Sequence, residues 1–203
     1  METQSNLVTA GLDIDHLFKA NGVETKGDLL SLTRQLNRVP RSHTLPFTSR
    51  ESVLEHCARA TQLVDFLNAQ GIISPALEPS ELVAVKNYML YHDIHEIVVG
   101  DVPYFVEKQL GNSPSKVRDR IMVYFGVDLQ LSPELFQLAK MIDAMEFVIT
   151  ASEDPNMGAD NFAGKRLETV LENGVAIIDK HIAASTKYKV DLERFEDLVR
   201  EAI

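Results

Sequence analysis

Cysteine and long apolar runs are both scarce in this chain of 203 residues. Cys57 is its single cysteine, so no internal disulfide bridge can form, which suits a protein of the reducing cytosol. No apolar run approaches the roughly 20 residues of a membrane-spanning helix, and the N-terminus lacks the pattern of a signal peptide. The sequence therefore predicts a cytoplasmic protein with no membrane partner.

Basic residues are also scarce relative to acidic ones. The chain has 20 Lys and Arg against 30 Asp and Glu, for a formal net charge of -10. Binding to a nucleic-acid backbone needs clustered Lys and Arg, so we expect no nucleic-acid partner. The same charge repels small anions. A phosphate-binding site in this chain would therefore need local positive charge, from a metal ion or a placed arginine.

Strand signals are also weak, since period-two alternation is rare and no Asn-Gly or Asp-Gly pair separates two apolar runs. Helical periodicity recurs instead. With 45% hydrophobic residues, the chain can bury a real core, and we expect a single compact all-α domain of about seven helices over residues 1–203. The predicted helices cover residues 26–37, 51–69, 79–100, 103–110, 114–124, 132–151 and 161–182.

Four side chains with metal-binding chemistry lie on three separate predicted helices: His56, His92, Asp93 and Asp143. Histidine nitrogens and carboxylate oxygens together suit one divalent transition ion, such as Co, Mn, Zn or Fe. Glu96 follows His92 by four positions and so lies one turn further along the same helix face. A carboxylate there could take a proton from water at the metal.

Simpler interpretations stay open for individual residues. A buried histidine is more often a hydrogen-bonded core residue than a ligand, and adjacent His-Asp pairs occur by chance in many chains. Core packing is the expectation for Cys57, Tyr88, Tyr91, Met141, Met145 and Phe147. A solvated face is the expectation for Glu146, Glu153 and Asp154, although Glu146 lies one turn beyond Asp143 and could support it.

Three segments carry a known order of residues: Glu55-His56, then Tyr91 to Pro103 (YHDIHEIVVGDVP), then Ile142-Asp143-Ala144. The order H…HD…D resembles the metal signature of the HD superfamily of phosphohydrolases. HDxxE followed by GD and a proline is similar to the 5′-deoxynucleotidase branch, the YfbR-like group. Asn37-Arg38-Val39-Pro40 resembles that branch's Asn-Arg-Trp-Pro, and Lys165 to Thr169 resembles its late helix. The similarity covers about residues 25–182, with residues 1–24 as an N-terminal appendage.

The resemblance implies a role for each matching residue, and it implies a homodimer. One divalent ion would be bound by His56, His92, Asp93 and Asp143. Glu96 would handle protons on the attacking water. Arg38 would clamp the phosphate, and Asp101 would contact the sugar 3′-hydroxyl or help to orient water.

Two departures from the family affect the substrate. The family's tryptophan, which packs on the sugar and helps to exclude a 2′-hydroxyl, is replaced by Val39. The loop from Val39 to His56 is longer than in the family. Its basic residues could contact additional phosphates, although a solvated loop is the expectation: Arg41, His43 and Arg50. His95 is expected at the surface rather than beside the metal.

The leading functional hypothesis is a metal-dependent enzyme that removes the 5′-phosphate of (deoxy)nucleoside monophosphates, giving nucleoside and phosphate. One alternative is a deoxynucleoside triphosphate triphosphohydrolase on the same scaffold, supported by the basic residues of the loop. A second is a non-catalytic HD module that senses a nucleotide. Such a module would be expected to lack a ligand or the catalytic acid, whereas this chain retains all of them.

Overall fold

A computed structural model defines the structure of residues 18–19, 29–42, 45–48, 50–101, 113–157 and 159–202. The helices are α1 (Leu29–Gln35), continued by a 3-10 turn (Leu36–Arg38), α2 (Val53–Ala69), α3 (Pro79–Tyr91), α4 (Glu96–Val99), α5 (Ser113–Tyr124), α6 (Pro133–Ser152), α7 (Phe162–Ala184) and α8 (Leu192–Ala202). Two short antiparallel strands pair with each other, β1 (Ile73–Ser74) and β2 (Lys189–Val190). The expectation of an all-α fold is confirmed.

Helix α6 forms the centre of the core. It packs against α2, α3 and α7, and its Met141, Ile142 and Met145 are fully buried. A smaller apolar cluster gathers residues of α1, α2 and α5. Helix α2 contributes to both, with Cys57 in the smaller cluster and Ala60 in the larger. Residue 56 of α2 therefore lies at the junction of the two clusters.

The start of α2 is fixed by a capping box and by a backbone hydrogen bond across the preceding loop. Ser52 and Glu55 form a capping box, in which the Ser52 N–H donates to Glu55 Oε2 at 2.7 Å and the Glu55 N–H donates to Ser52 Oγ at 3.2 Å. The first residue of α2 also pairs with the other end of the loop that joins Val39 to Val53, since the Val53 N–H donates to the Val39 carbonyl at 2.9 Å. Both ends of the loop are thus anchored one turn before His56.

The prediction of one continuous helix over residues 79–100 is wrong. Helix α3 ends at Tyr91, a turn follows, and α4 begins at Glu96. Within the turn the hydrogen bonds join residues three apart, as from the Ile94 N–H to the Tyr91 carbonyl at 3.0 Å. The adjacent His92 and Asp93 therefore lie in a turn between two helices rather than within one regular helix.

The structure differs from the sequence-based prediction in other elements as well. Helix α8 and both strands were not predicted, and β2 leads directly into α8. The helix predicted over residues 103–110, like His43, falls outside the described residues. Within the part of the chain that the structure describes, no helix has the length and apolar character to cross a bilayer. That one domain spans residues 1–203 stays a prediction.

Candidate metal centre

Two histidines and two aspartates from three parts of the chain face one point. His56 lies on α2, Asp143 on α6, and His92 and Asp93 in the turn after α3. The Nε2 atoms of His56 and His92 lie 3.2 and 3.5 Å from Asp143 Oδ1. The same two nitrogens lie 3.8 and 3.2 Å from Asp93 Oδ2. The structure thus brings together the four residues that the sequence singles out as metal ligands.

The separations in this cluster fit a shared divalent ion. Ligand atoms that lie about 2.1 Å from one ion lie about 3.0–3.4 Å from each other, close to the distances between the four groups. The Nε2 atoms of His56 and His92 are buried, and neither makes a hydrogen bond to another described residue. Because buried polar atoms are rarely left unpaired, a cation between these nitrogens and the carboxylates suits the residues present.

The second nitrogen of each histidine is already engaged. Nδ1 of His92 lies 2.8 Å from the Met89 carbonyl, and a carbonyl can only accept, so Nδ1 carries a proton and Nε2 of the neutral ring offers a lone pair. Nδ1 of His56 lies 2.5 Å from Oε2 of Glu146. The ring of Tyr88 stacks on His92 at 5.8 Å. These contacts orient both rings toward the cluster, as is usual for metal-binding histidines.

The expectation of a solvated face is wrong for Asp154, which is 7% exposed, and for Glu146, which is buried at 3% exposure. Its Oε1 accepts from Arg59 Nε at 2.9 Å and from Thr150 Oγ1 at 3.0 Å. Burial alone would raise the pKa of Glu146, but the hydrogen bond from His56 and the nearby cations lower it to about 2. Glu146 therefore supports His56 rather than Asp143. Its position one turn beyond Asp143 was the sequence signal.

Two cations contact the aspartates. Lys140 Nζ donates to Asp143 Oδ2 at 2.9 Å, and Arg41 NH1 donates to Asp93 Oδ2 at 3.3 Å. Burial alone would raise the pKa of both aspartates, but His92 and these cations outweigh it and lower both. The aspartates in turn raise the pKa of His92 against the effect of burial. The cluster thus favours added positive charge, and a metal ion binding here would displace the proton of His92.

The arginines of the loop differ in their surroundings. Arg41 reaches the aspartates, with NH2 also 3.9 Å from Asp143 Oδ1, and its side chain is only 16% exposed. The expectation of a solvated Arg41 is therefore wrong, because the paired backbone at the loop ends turns this side chain inward. Arg38 is exposed at the end of the 3-10 turn, Val39 is half-buried, and Arg50 is exposed as expected.

Glu96 lies beside the cluster and is 7% exposed, and its Oε2 makes no hydrogen bond to another described residue. Desolvation, and then the charge of Asp93, raises its pKa well above 4.5. His95 is also buried, so the expectation of a surface position is wrong. Burial lowers the pKa of His95 to about 4, and its ring is neutral near neutral pH. The turn after α3 folds both side chains inward.

Asp101 joins the cluster to the loop. Its Oδ2 accepts the backbone N–H of Ser42, the residue after Arg41. Its charge is one of those that raise the pKa of Glu96. Asp101 therefore lies within electrostatic reach of Glu96 and helps to fix the segment that carries Arg41.

A cavity of about 340 Å³ is lined by Arg41 and Glu146, each of which contacts a candidate ligand of the cluster. Phe47 and Phe147 also line the cavity, with ring centroids 6.3 Å apart and planes at 90°. Phe147 was expected in the core, but it is half-buried and lines this space instead. The volume falls within the range of small-molecule sites.

Comparison with known proteins supports the fold. No protein-family model matches the chain, and no curated protein sequence matches it. Among solved structures, the HD phosphohydrolase DatZ of cyanophage S-2L, bound to dA and one catalytic Zn²⁺ ion, matches with a TM-score of 0.58 at 17% identity, over 84% of this chain and 95% of that chain. A conserved hypothetical protein from Pyrococcus furiosus matches with a TM-score of 0.49 at 23% identity, over 76% of this chain and 97% of that chain. The likeness to DatZ shows that the two chains share a fold.

Proposed function

We propose that this protein is a metal-dependent phosphohydrolase that removes the 5′-phosphate of (deoxy)nucleoside monophosphates. The observation that carries the proposal is the pair of buried Nε2 atoms of His56 and His92, which lie 3.2 Å from carboxylate oxygens of Asp143 and Asp93, respectively. The likeness to DatZ, a phosphohydrolase solved with a nucleoside and Zn²⁺, supports the same reaction class.

The metal would be one Co, Mn, Zn or Fe ion, held by His56, His92, Asp93 and Asp143. When bound, such an ion polarises a phosphoryl oxygen and lowers the pKa of water at the site. Glu96 would accept the proton of the attacking water. Its burial and its free Oε2 beside Asp93 support this role. In-line attack would break the bond between phosphorus and the 5′-oxygen, and release nucleoside and phosphate.

The remaining predicted residues would bind the substrate. Arg38, as the family resemblance implies, would clamp phosphate oxygens through its planar donors. Asp101 would accept from the sugar 3′-hydroxyl or orient water, since a carboxylate that accepts the Ser42 N–H retains acceptor capacity. Val39 offers no indole against a 2′-hydroxyl, so we expect ribonucleotides and deoxyribonucleotides to be hydrolysed at similar rates.

The nucleoside would occupy the cavity beside Arg41. Phe47 and Phe147 offer aromatic surface to a base, and base–aromatic stacking tolerates any base. Five carboxylates and three arginines line the same cavity. This acidic balance favours a monophosphate over the triphosphate alternative, because it repels a longer anionic chain. The triphosphatase retains only the support of the loop arginines.

The test is hydrolysis of ribo- and deoxynucleoside mono-, di- and triphosphates with added Zn²⁺, Co²⁺ or Mn²⁺. Orthophosphate from monophosphates supports the proposal, whereas tripolyphosphate from triphosphates supports the alternative. Glu96→Gln should lower kcat by about 10²–10⁴-fold with little change in metal content. Glu168→Gln, on the exposed face of α7, is the matched control. If the protein binds nucleotides and hydrolyses none with any of these ions, it is a sensor rather than an enzyme.

A further inference from the structure

Arg41 is held in place by its own backbone. Its N–H donates to the Glu51 carbonyl at 2.7 Å, and the preceding Pro40 forms an isolated antiparallel bridge with Ser52. The N–H of the following residue, Ser42, donates to Asp101. Arg41 is therefore fixed on both sides, and its position at the cluster does not depend on its side-chain ion pairs alone.

The guanidinium of Arg41 contacts the same carboxylate oxygens that a metal would use. Its NH1 lies 3.3 Å from Asp93 Oδ2, and His92 Nε2 lies 3.2 Å from that same oxygen. Its NH2 lies 3.9 Å from Asp143 Oδ1, and His56 Nε2 lies 3.2 Å from that one. A cation seated between the imidazoles would draw both oxygens toward itself and away from the guanidinium.

Arg41 also lines the cavity proposed for the nucleoside, together with Phe47 and Phe147. An arginine carries five N–H donors in a planar fork that matches the oxygens of a phosphate. With the carboxylate oxygens turned to a metal, these donors would be left at the boundary between the metal and the cavity. If a metal at the cluster and a nucleoside in the cavity belong to one complex, the phosphate would lie at that boundary.

We propose that Arg41 alternates between two anionic partners: it holds Asp93 and Asp143 together in the metal-free protein and binds the substrate phosphate once the metal has taken these carboxylates. The phosphate part of this inference rests on the proposed function. Arg41 is thus a second phosphate-binding arginine beside Arg38, and it competes with the metal for Asp93 and Asp143. Binding of the metal ion and binding of the substrate phosphate are thereby coupled through the side chain of Arg41.

The experiment measures two affinities of Arg41→Met, neither of which requires turnover. Zn²⁺ affinity is measured by competition with a chromophoric chelator, and inorganic phosphate binding to the Zn²⁺-loaded protein by calorimetry. Removing a cation that competes for the carboxylates should tighten Zn²⁺ binding by about tenfold. Losing the guanidinium should weaken phosphate binding by about tenfold or more. Arg34→Met, an exposed residue of α1, is the matched control and should change neither affinity.

Opposite shifts of the two affinities in Arg41→Met support the inference, and any other pair of results overturns it. If Arg41 had a purely structural role, its replacement would instead weaken the binding of Zn²⁺ and of phosphate together. If Arg41→Met fails to fold by circular dichroism, Arg41→Lys replaces it. This variant keeps the charge with fewer donors, so phosphate binding should weaken while Zn²⁺ affinity stays near that of the wild type, and undiminished phosphate binding overturns the inference. A wild-type protein that hydrolyses no nucleotide would contradict the proposed function and still allow both measurements.

Discussion

Nδ1 of His56 and Oε2 of Glu146 lie 2.5 Å apart in a buried contact between α2 and α6. The contact fixes which ring nitrogen of His56 points toward the aspartates. An ionised carboxylate can only accept a hydrogen bond, so it keeps the proton on Nδ1 and leaves Nε2 to the aspartates. Arg59 and Thr150 hold Glu146 from its other side. Three side chains, Glu146, Arg59 and Thr150, thus position one candidate ligand, and the network extends from the surface to the cluster.

Replacing Glu146 should therefore weaken metal binding although it is not a proposed ligand. In Glu146→Gln the amide removes the charge and can offer Nδ1 a donor where an acceptor is needed, so we expect a loss of about 10–100-fold in Zn²⁺ affinity. Chelator competition measures it. Glu172→Gln, exposed on α7, is the control. An affinity unchanged in Glu146→Gln would show that the contact does not orient His56 for a metal.

Metal removal should lower the stability of the fold. A ligand that binds only the native state at 1,000 times its dissociation constant adds about 4 kcal/mol to the free energy of unfolding. We therefore expect a large difference in urea denaturation between chelator-treated and Zn²⁺-loaded protein. His92→Asn should lose most of that difference. Equal stabilisation of His92→Asn and wild type by Zn²⁺ would mean that the ion binds elsewhere.

Phe47 and Phe147 should affect the nucleoside part of the substrate alone. Phe147→Leu keeps apolar volume but removes the aromatic face, and we expect KM for a nucleoside monophosphate to rise by about 5–100-fold, from a stacking loss of about 1–3 kcal/mol. The affinity for inorganic phosphate should stay unchanged. Phe162→Leu, at a position that is 82% exposed, is the control. An equal loss of phosphate affinity in Phe147→Leu would place its effect on the metal centre instead.

The sequence predicted the parts of the site that local patterns encode. His56 follows a capping box, and Asp143 lies within a helix that opens at Ser132-Pro133, so the elements carrying both could be assigned from neighbouring residues. The break after Tyr91 could not, because no proline or glycine marks it between Pro79 and Gly100. That turn depends on tertiary contacts of its side chains, and helical periodicity in the sequence does not predict such contacts.

Arg41 and α8 were both missed, for different reasons. Nothing within the loop distinguishes Arg41 from Arg50, and only the pairing of the loop ends, visible in three dimensions, turns one inward and leaves the other exposed. In α8, Leu192, Phe195, Leu198 and Val199 recur at helical spacing, so the periodicity of this segment was an overlooked signal. Asp191, whose Oδ1 accepts the Arg194 N–H at 3.1 Å, was an overlooked helix-start signal.

Asp154 should stabilise the segment that carries Phe47, and should do so only while it is ionised. Its oxygens accept from the Thr48 N–H at 2.7 Å, Thr48 Oγ1 at 3.0 Å and the Asn156 N–H at 2.8 Å. Burial alone would raise the pKa of Asp154, but these hydrogen bonds lower it below the ordinary 3.8. A lowered folded-state pKa means that the stabilisation is full above the unfolded value and is lost as the pH falls through the folded one.

In Asp154→Asn we therefore expect a loss of about 1–3 kcal/mol in the free energy of unfolding near neutral pH. The difference from wild type should shrink as the pH falls below 3.8, because the wild-type carboxylate then becomes protonated. Urea denaturation across that range measures it. Asp160→Asn, at a side chain that is 93% exposed, should leave stability nearly unchanged at every pH. A loss in Asp154→Asn that is the same in acid as at neutrality would contradict an ionised Asp154 as the source of the stabilisation.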